Sequence, residues 1–78
     1  MAAMPPDMLD VRPIAPQRTP PTVMATYEKL APGESFILIT DREPTAVQAM
    51  LKAQTARGAG WRYLEAGPNV WRVRITRR

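Results

Sequence analysis

Asp41, Arg42 and Glu43 stand between an apolar run, Ser35 to Thr40, and a proline that opens a helical pattern. A strand running into a helix start leaves free amides and the positive end of the helix dipole, a setting that favours anions. Arg42 would supply the charge of a small anion or phosphate site. Capping is the plainer role, in which Asp41 or Glu43 accepts from the first amides and nothing binds. The turn has no glycine-rich phosphate loop, so the residue types favour the cap. A similar junction follows Leu9-Asp10-Val11, where a proline-rich loop is flanked by Arg12 and Arg18. With Arg42 these would make a basic rim around two helix starts, although loop arginines are more often solvated or bonded to carbonyls.

The second concentration of chemistry lies at the C-terminal end. From Trp61 onward the basic residues are Arg62, Arg72, Arg74, Arg77 and Arg78, and the only acid is Glu65. Beside Trp61, Tyr63 and Trp71 they suggest a platform on which bases stack and phosphates are held. Strand alternation works against it, because Arg72 and Arg74 fall on the face opposite Trp71, Val73 and Ile75. Trp71 is then expected in the core and the arginines on a solvated face, and no RNP or KH signature is present.

Catalysis has few candidates. The chain has no cysteine and no histidine, which removes thiol chemistry, thiolate metal sites, the commonest general base and every Ser-His or Cys-His arrangement. Lys29 and Lys52 fall on helical patterns, where an exposed, paired lysine is the rule. Ser35 and Thr40 have no base. Asp10 and Asp41 each follow a strand core and would either pair or cap. We expect neither enzyme activity, nor a metal, nor a cofactor.

The elements that position these residues are readable from periodicity. Seventy-eight residues make one domain, which at this size buries roughly 60% of the surface of the unfolded chain. Residues 1–7 carry two prolines and no periodicity and are expected to be a flexible tail before a single domain over 8–78. "MLDV" reads as a strand with Leu9 and Val11 on one face. A helix over about 20 to 31 follows, with Thr19 as its cap, Pro20 and Pro21 in its first turn and an apolar stripe of Val23, Tyr27 and Leu30 beside Met24. Pro32 and Gly33 end it. "SFILIT" is apolar on both alternating sets and predicts an inner strand. Pro44 opens a second helix with the stripe Ala46, Val47, Met50 and Leu51, ended by Gly58 and Gly60. The remainder alternates as a hairpin, turning at Gly67-Pro68-Asn69.

The order is βαβαββ. It predicts an α+β two-layer sandwich, a four-stranded sheet with both helices on one face. The open face would carry Arg72, Arg74 and either Phe36 and Leu38 or Ile37 and Ile39. No apolar run approaches the roughly 20 residues that span a bilayer, and "MAAMPPDM" lacks the regions of a signal peptide. We expect a cytoplasmic protein with no membrane partner.

"LDVR", "PTVMATYEKLAPGESFILITDREP" and "WRYLEAGPNVWRVRI" resemble, in order and spacing, an uncharacterised bacterial domain-of-unknown-function family, number twenty-two forty-nine. That family is distantly similar to the TusA/SirA sulfur-carrier-like domains. The resemblance runs from about Leu9 to Arg77 and is most specific at Tyr63-Leu64-Glu65, Gly67-Pro68 and Trp71 to Ile75. It implies the same βαβαββ sandwich, with a mixed sheet and the final strand internal. In TusA-like carriers the loop after the first strand leads to a Cys-Pro motif, whose thiolate carries sulfur at the helix start. The corresponding stretch here, Arg12 to Pro21, has prolines and no cysteine, which excludes that mechanism. The family's histidines, one before the helix proline and one after the second strand, correspond to Pro20 and Arg42. Relatives occur beside hemerythrin-like domains, an association with redox or nitrogen-oxide physiology.

The function expected is a non-enzymatic binding or adaptor domain that contacts a protein or a second copy. It would use either the rim (Arg12, Arg18, Asp41, Arg42) or the open sheet face (Arg72, Arg74). RNA binding through that basic face is the alternative.

Overall fold

The computed structural model describes residues 8–78; the expected tail over 1–7 lies outside the described residues. The elements are β1 (Met8–Asp10), a short 3-10 turn (Pro16–Arg18), α1 (Thr19–Glu28), β2 (Ser35–Thr40), α2 (Thr45–Gln54), β3 (Gly60–Ala66) and β4 (Trp71–Thr76). The four strands form one mixed sheet in the order β1-β2-β4-β3. β1 runs parallel to β2, while β4 is antiparallel to both β2 and β3. The expected two-layer α+β architecture is the one observed.

Alternation along β2 divides the sheet's two faces. Phe36 sits opposite Ile75 and Leu38 opposite Val73, and these four join Val23 and Tyr27 from α1, Leu30 just beyond it, and Val47 and Leu51 from α2 in one core. Burying such side chains fully is worth about 1.5–3 kcal/mol each, so this face fixes the register. Ile37 and Ile39 therefore belong to the other face, opposite Arg74 and Arg72.

The helix ends depart from expectation. Thr19 does not cap α1: Arg18 holds the cap position, and the Thr19 hydroxyl donates back to the Ala15 carbonyl at 3.4 Å. α1 stops at Glu28, before Pro32, because Arg77 satisfies the carbonyls near its end. The guanidinium donates to Glu28 O at 3.0 Å and Leu30 O at 2.8 Å and lies 5.7 Å from the Tyr27 ring centroid. The Arg77 backbone pairs with the turn beneath, accepting from Gly33 N at 2.7 Å and donating to Glu34 O at 2.9 Å. α2 likewise ends before Gly58, where Thr55 turns extended and donates from its hydroxyl to Leu51 O at 2.6 Å. Ala46 faces solvent instead of joining the α2 stripe.

Trp71 is half-buried and outside the core cluster. It lies across Gly67, whose φ of 64° and missing Cβ permit the approach. A Cβ there would fall 2.6 Å from Trp71 Cζ2.

Candidate functional site

β1 and β2 are parallel neighbours, so their carboxyl ends open side by side toward the helix starts. Val11 N donates to Ile39 O at 2.9 Å, extending the ladder to the mouth of this crevice. Crevices outside the carboxyl ends of parallel strands are favoured ligand positions in open α/β sheets. Here a cavity of about 270 Å³ lies between β2, the proline-rich loop and α2. Val11, Ile14, Leu38 and Val47 make its apolar lining, and Arg12, Thr40, Asp41 and Arg42 its polar side. Three of the four expected rim residues are thus brought together. Arg18 is not, since it is exposed on the 3-10 turn away from the lining.

Arg12 has its charge matched at home. Its Nε donates to Asp10 Oδ1 at 2.9 Å and its Nη2 to Asp10 Oδ2 at 2.6 Å, a bidentate pair, and its backbone N donates to Oδ1 at 3.0 Å. The side-chain bond first, then the backbone bond, pull the Asp10 carboxyl down to about 2, and the same pairing raises Arg12. Arg42 Nε stands 3.6 Å from Asp41 Oδ1, and both are exposed. Asp10 and Asp41 are therefore partnered by separate arginines.

The cap expected from Asp41 or Glu43 is missing. Pro44 occupies the cap position of α2 and no side chain bonds the helix start, because proline offers no side-chain acceptor and both acids point to solvent. Thr45 N donates to Glu43 O at 2.9 Å and Gln48 N to Pro44 O at 3.1 Å. Between them the amides of Ala46 and Val47 have no acceptor among the described residues. Thr40, only 5% exposed, lines the same cavity, and its hydroxyl makes no hydrogen bond among the described residues. α1 is the opposite case, with Pro20 and Pro21 in its first turn and no N–H at either.

The open sheet face carries two cross-strand rows. Met8, Ile37, Arg74 and Arg62 form one; Asp10, Ile39, Arg72 and Glu65 form the other. In the second row Arg72 Nε is 3.3 Å from Glu65 Oε1. A bulge creates that match: the register shifts between Tyr63 and Glu65, moving Glu65 from a position opposite Trp71 to one opposite Arg72. In the first row Arg74 donates to Ser35 Oγ at 3.0 Å and directly faces Arg62, which has no ion pair among the described residues. Directly opposed like charges destabilise a sheet. Arg62 was visible as part of the basic end, but its pairing with Arg74 depends on register across the hairpin.

Trp61 meets Tyr63 edge-on at 5.9 Å, and Tyr63 meets Trp71 at 6.2 Å. Trp61 and Tyr63 oppose Ile75 and Val73 and so share the core's face, away from Arg62, Arg72 and Arg74. The stacking aromatics and the arginines are on different sides of the sheet. Lys29 and Lys52 are exposed. Among the described residues no three His, Cys, Asp or Glu side chains converge as metal ligands, and no helix is long and apolar enough to cross a membrane.

A family model described as an uncharacterized conserved protein, DUF2249, matches residues 8–77. The chain belongs to the DUF2249 family. No curated protein matches it. In this DUF2249 domain the matched span takes in every strand and helix, the cavity and the arginine face, from Met8 in β1 to the α1-closing Arg77.

Proposed function

We propose that this DUF2249 domain is a non-enzymatic binding module whose open sheet face holds an acidic, partly apolar protein segment. The observation that carries the reading is the Arg62–Arg74 pair beside Met8 and Ile37. Met8 is 56% exposed and Ile37 half-buried, so an apolar strip adjoins two arginines that share no acid. A carboxylate between the guanidiniums would turn a repulsive pair into charge-assisted bonds, and an apolar neighbour would cover the strip. The chain's net charge of +4 favours the same partner. A second copy would bring the same arginines to the face, which disfavours self-association there.

RNA binding is the second reading, and the split between aromatics and arginines weighs against it, since base stacking and phosphate contact would need both on one side. A resemblance to TusA/SirA-like carriers would fit a protein-contacting role. With no cysteine in the chain, contact would be retained without the carried sulfur.

The test is titration of a Glu/Leu-alternating peptide and of a single-stranded RNA, each at low and high salt, into the protein and into Arg62→Glu/Arg74→Glu. Peptide binding that weakens at least about tenfold in the double variant supports the reading. Unchanged peptide affinity overturns it. RNA binding with a steep salt slope, lost in the same variant, would replace it with the second reading.

A further inference from the structure

We propose that the cavity at the carboxyl ends of β1 and β2 binds a small organic monoanion, a carboxylate head on an apolar body. Two independent observations converge there. The first is the donor pair at the start of α2, the amides of Ala46 and Val47, left bare by a proline in the cap position. The second is Thr40, which alternates with Phe36 and Leu38 toward the helices, is 5% exposed, lines the cavity and has no hydrogen-bond partner among the described residues. The hydroxyl is open to the cavity and uncommitted to any protein partner, so it is free to donate to a ligand oxygen. Bare amides with the dipole behind them supply the complementary positive field.

The rest of the cavity sets the ligand class. Val11, Ile14, Leu38 and Val47 form an apolar lining that a fully hydrated inorganic ion would gain nothing from contacting. About 270 Å³ gives room for a body beyond the carboxylate. The charge balance points to a single negative charge. Arg12 is occupied by Asp10, Arg42 stands beside Asp41, and Glu43 is at the rim. A dianion would meet Glu43, which has no arginine partner among the described residues, with little free cationic charge to offset it. The half-charge of the dipole, with Arg42 at the edge, matches a monoanion. The start of α1 cannot serve, because Pro20 and Pro21 carry no donors there.

The experiment follows backbone amide resonances while benzoate, pentanoate or inorganic phosphate is added. The expected result is saturable shifts of the Ala46 and Val47 amides with either carboxylate, and weaker binding of phosphate. Thr40→Val, which keeps the shape and removes the hydroxyl, should weaken benzoate about tenfold. Ala46→Pro deletes one amide at a first-turn position, as Pro20 does in α1, and should weaken benzoate similarly while helix content is kept. Should Ala46→Pro fail to fold, Arg42→Gln provides a second arm, with an expected loss of a few-fold. Non-saturating shifts, equal binding by wild type and Thr40→Val, or phosphate binding tighter than both carboxylates would overturn the assignment.

Discussion

Asp10 illustrates how much a single pairing settles at the residue scale. Its carboxyl is held at about 2 against an ordinary 3.8 by the Arg12 guanidinium and the Arg12 backbone amide. A lowered folded-state value means stability that is fully present above the unfolded value and is lost as pH falls through the folded one, so the window runs from about 3.8 down to about 2. A carbon-detected NMR titration should find the Asp10 midpoint near the bottom of that window. In Arg12→Gln it should return toward the ordinary value, and a midpoint unmoved by the substitution would mean that Arg12 is not the cause. Gly67 is the other single residue on which local structure turns. With φ at 64° and Trp71 where a Cβ would go, Gly67→Ala should cost at least about 2 kcal/mol in denaturant unfolding, from backbone conformation and steric clash together. Neither feature can be read from residue type alone: "GP" announces a turn, but only the finished hairpin lays the indole over the glycine.

At the scale of elements, the strands were legible and the helix ends were not. Alternation in Ser35 to Thr40 and in Trp71 to Ile75 is a property of the strand itself, so it separates Phe36 and Leu38 from Ile37 and Ile39, and Arg72 and Arg74 from Val73 and Ile75. Only the pairing of β2 with β4 sets Ile37 and Ile39 opposite the arginines. The ends of α1 and α2 depend on partners remote in sequence. Arg77 reaches carbonyls on Glu28 and Leu30, at separations of 49 and 47 residues, and no local propensity encodes that. Arg77→Ala should destabilise the domain by about 2 kcal/mol, with amide exchange accelerating first near Lys29 to Leu30. Exchange that rises uniformly instead would show that Arg77 supports the fold without closing this helix. The bulge at Leu64 was equally hidden, since Tyr63-Leu64-Glu65 reads as a regular strand. Deleting Leu64 would remove the extra residue and leave Glu65 opposite Arg72 and Ala66 opposite Trp71, so Arg72 is freed only by changing the acid itself. Glu65→Gln, which leaves Arg72 without its acid, should bind the acidic peptide more tightly than wild type if the arginine face is the docking surface, and no better if it is not.

Taken whole, the molecule divides its chemistry between two places that do not compete. The sheet's open face displays charge over a broad surface, and the crevice at the ends of β1 and β2 concentrates unpaired donors over an apolar lining. The sequence located both neighbourhoods but misassigned part of the second. Arg18 is too far along the loop, and Asp41 and Glu43 leave the helix start uncapped because Pro44 takes the cap position. Such displacement is a tertiary outcome that a list of capping preferences does not contain.

The order of strands in the sheet, β1-β2-β4-β3, also has a consequence for how the protein is made. The strand synthesised last lies between the two before it, and it supplies Val73 and Ile75 to the core and, just beyond it, the arginine that closes α1. A nascent chain emerging from the ribosome would have both helices and the parallel pair available, yet a gap where the centre of the sheet belongs. The domain can become protease-resistant only after β4 and Arg77 have cleared the exit tunnel, so its folding waits on its last-made strand.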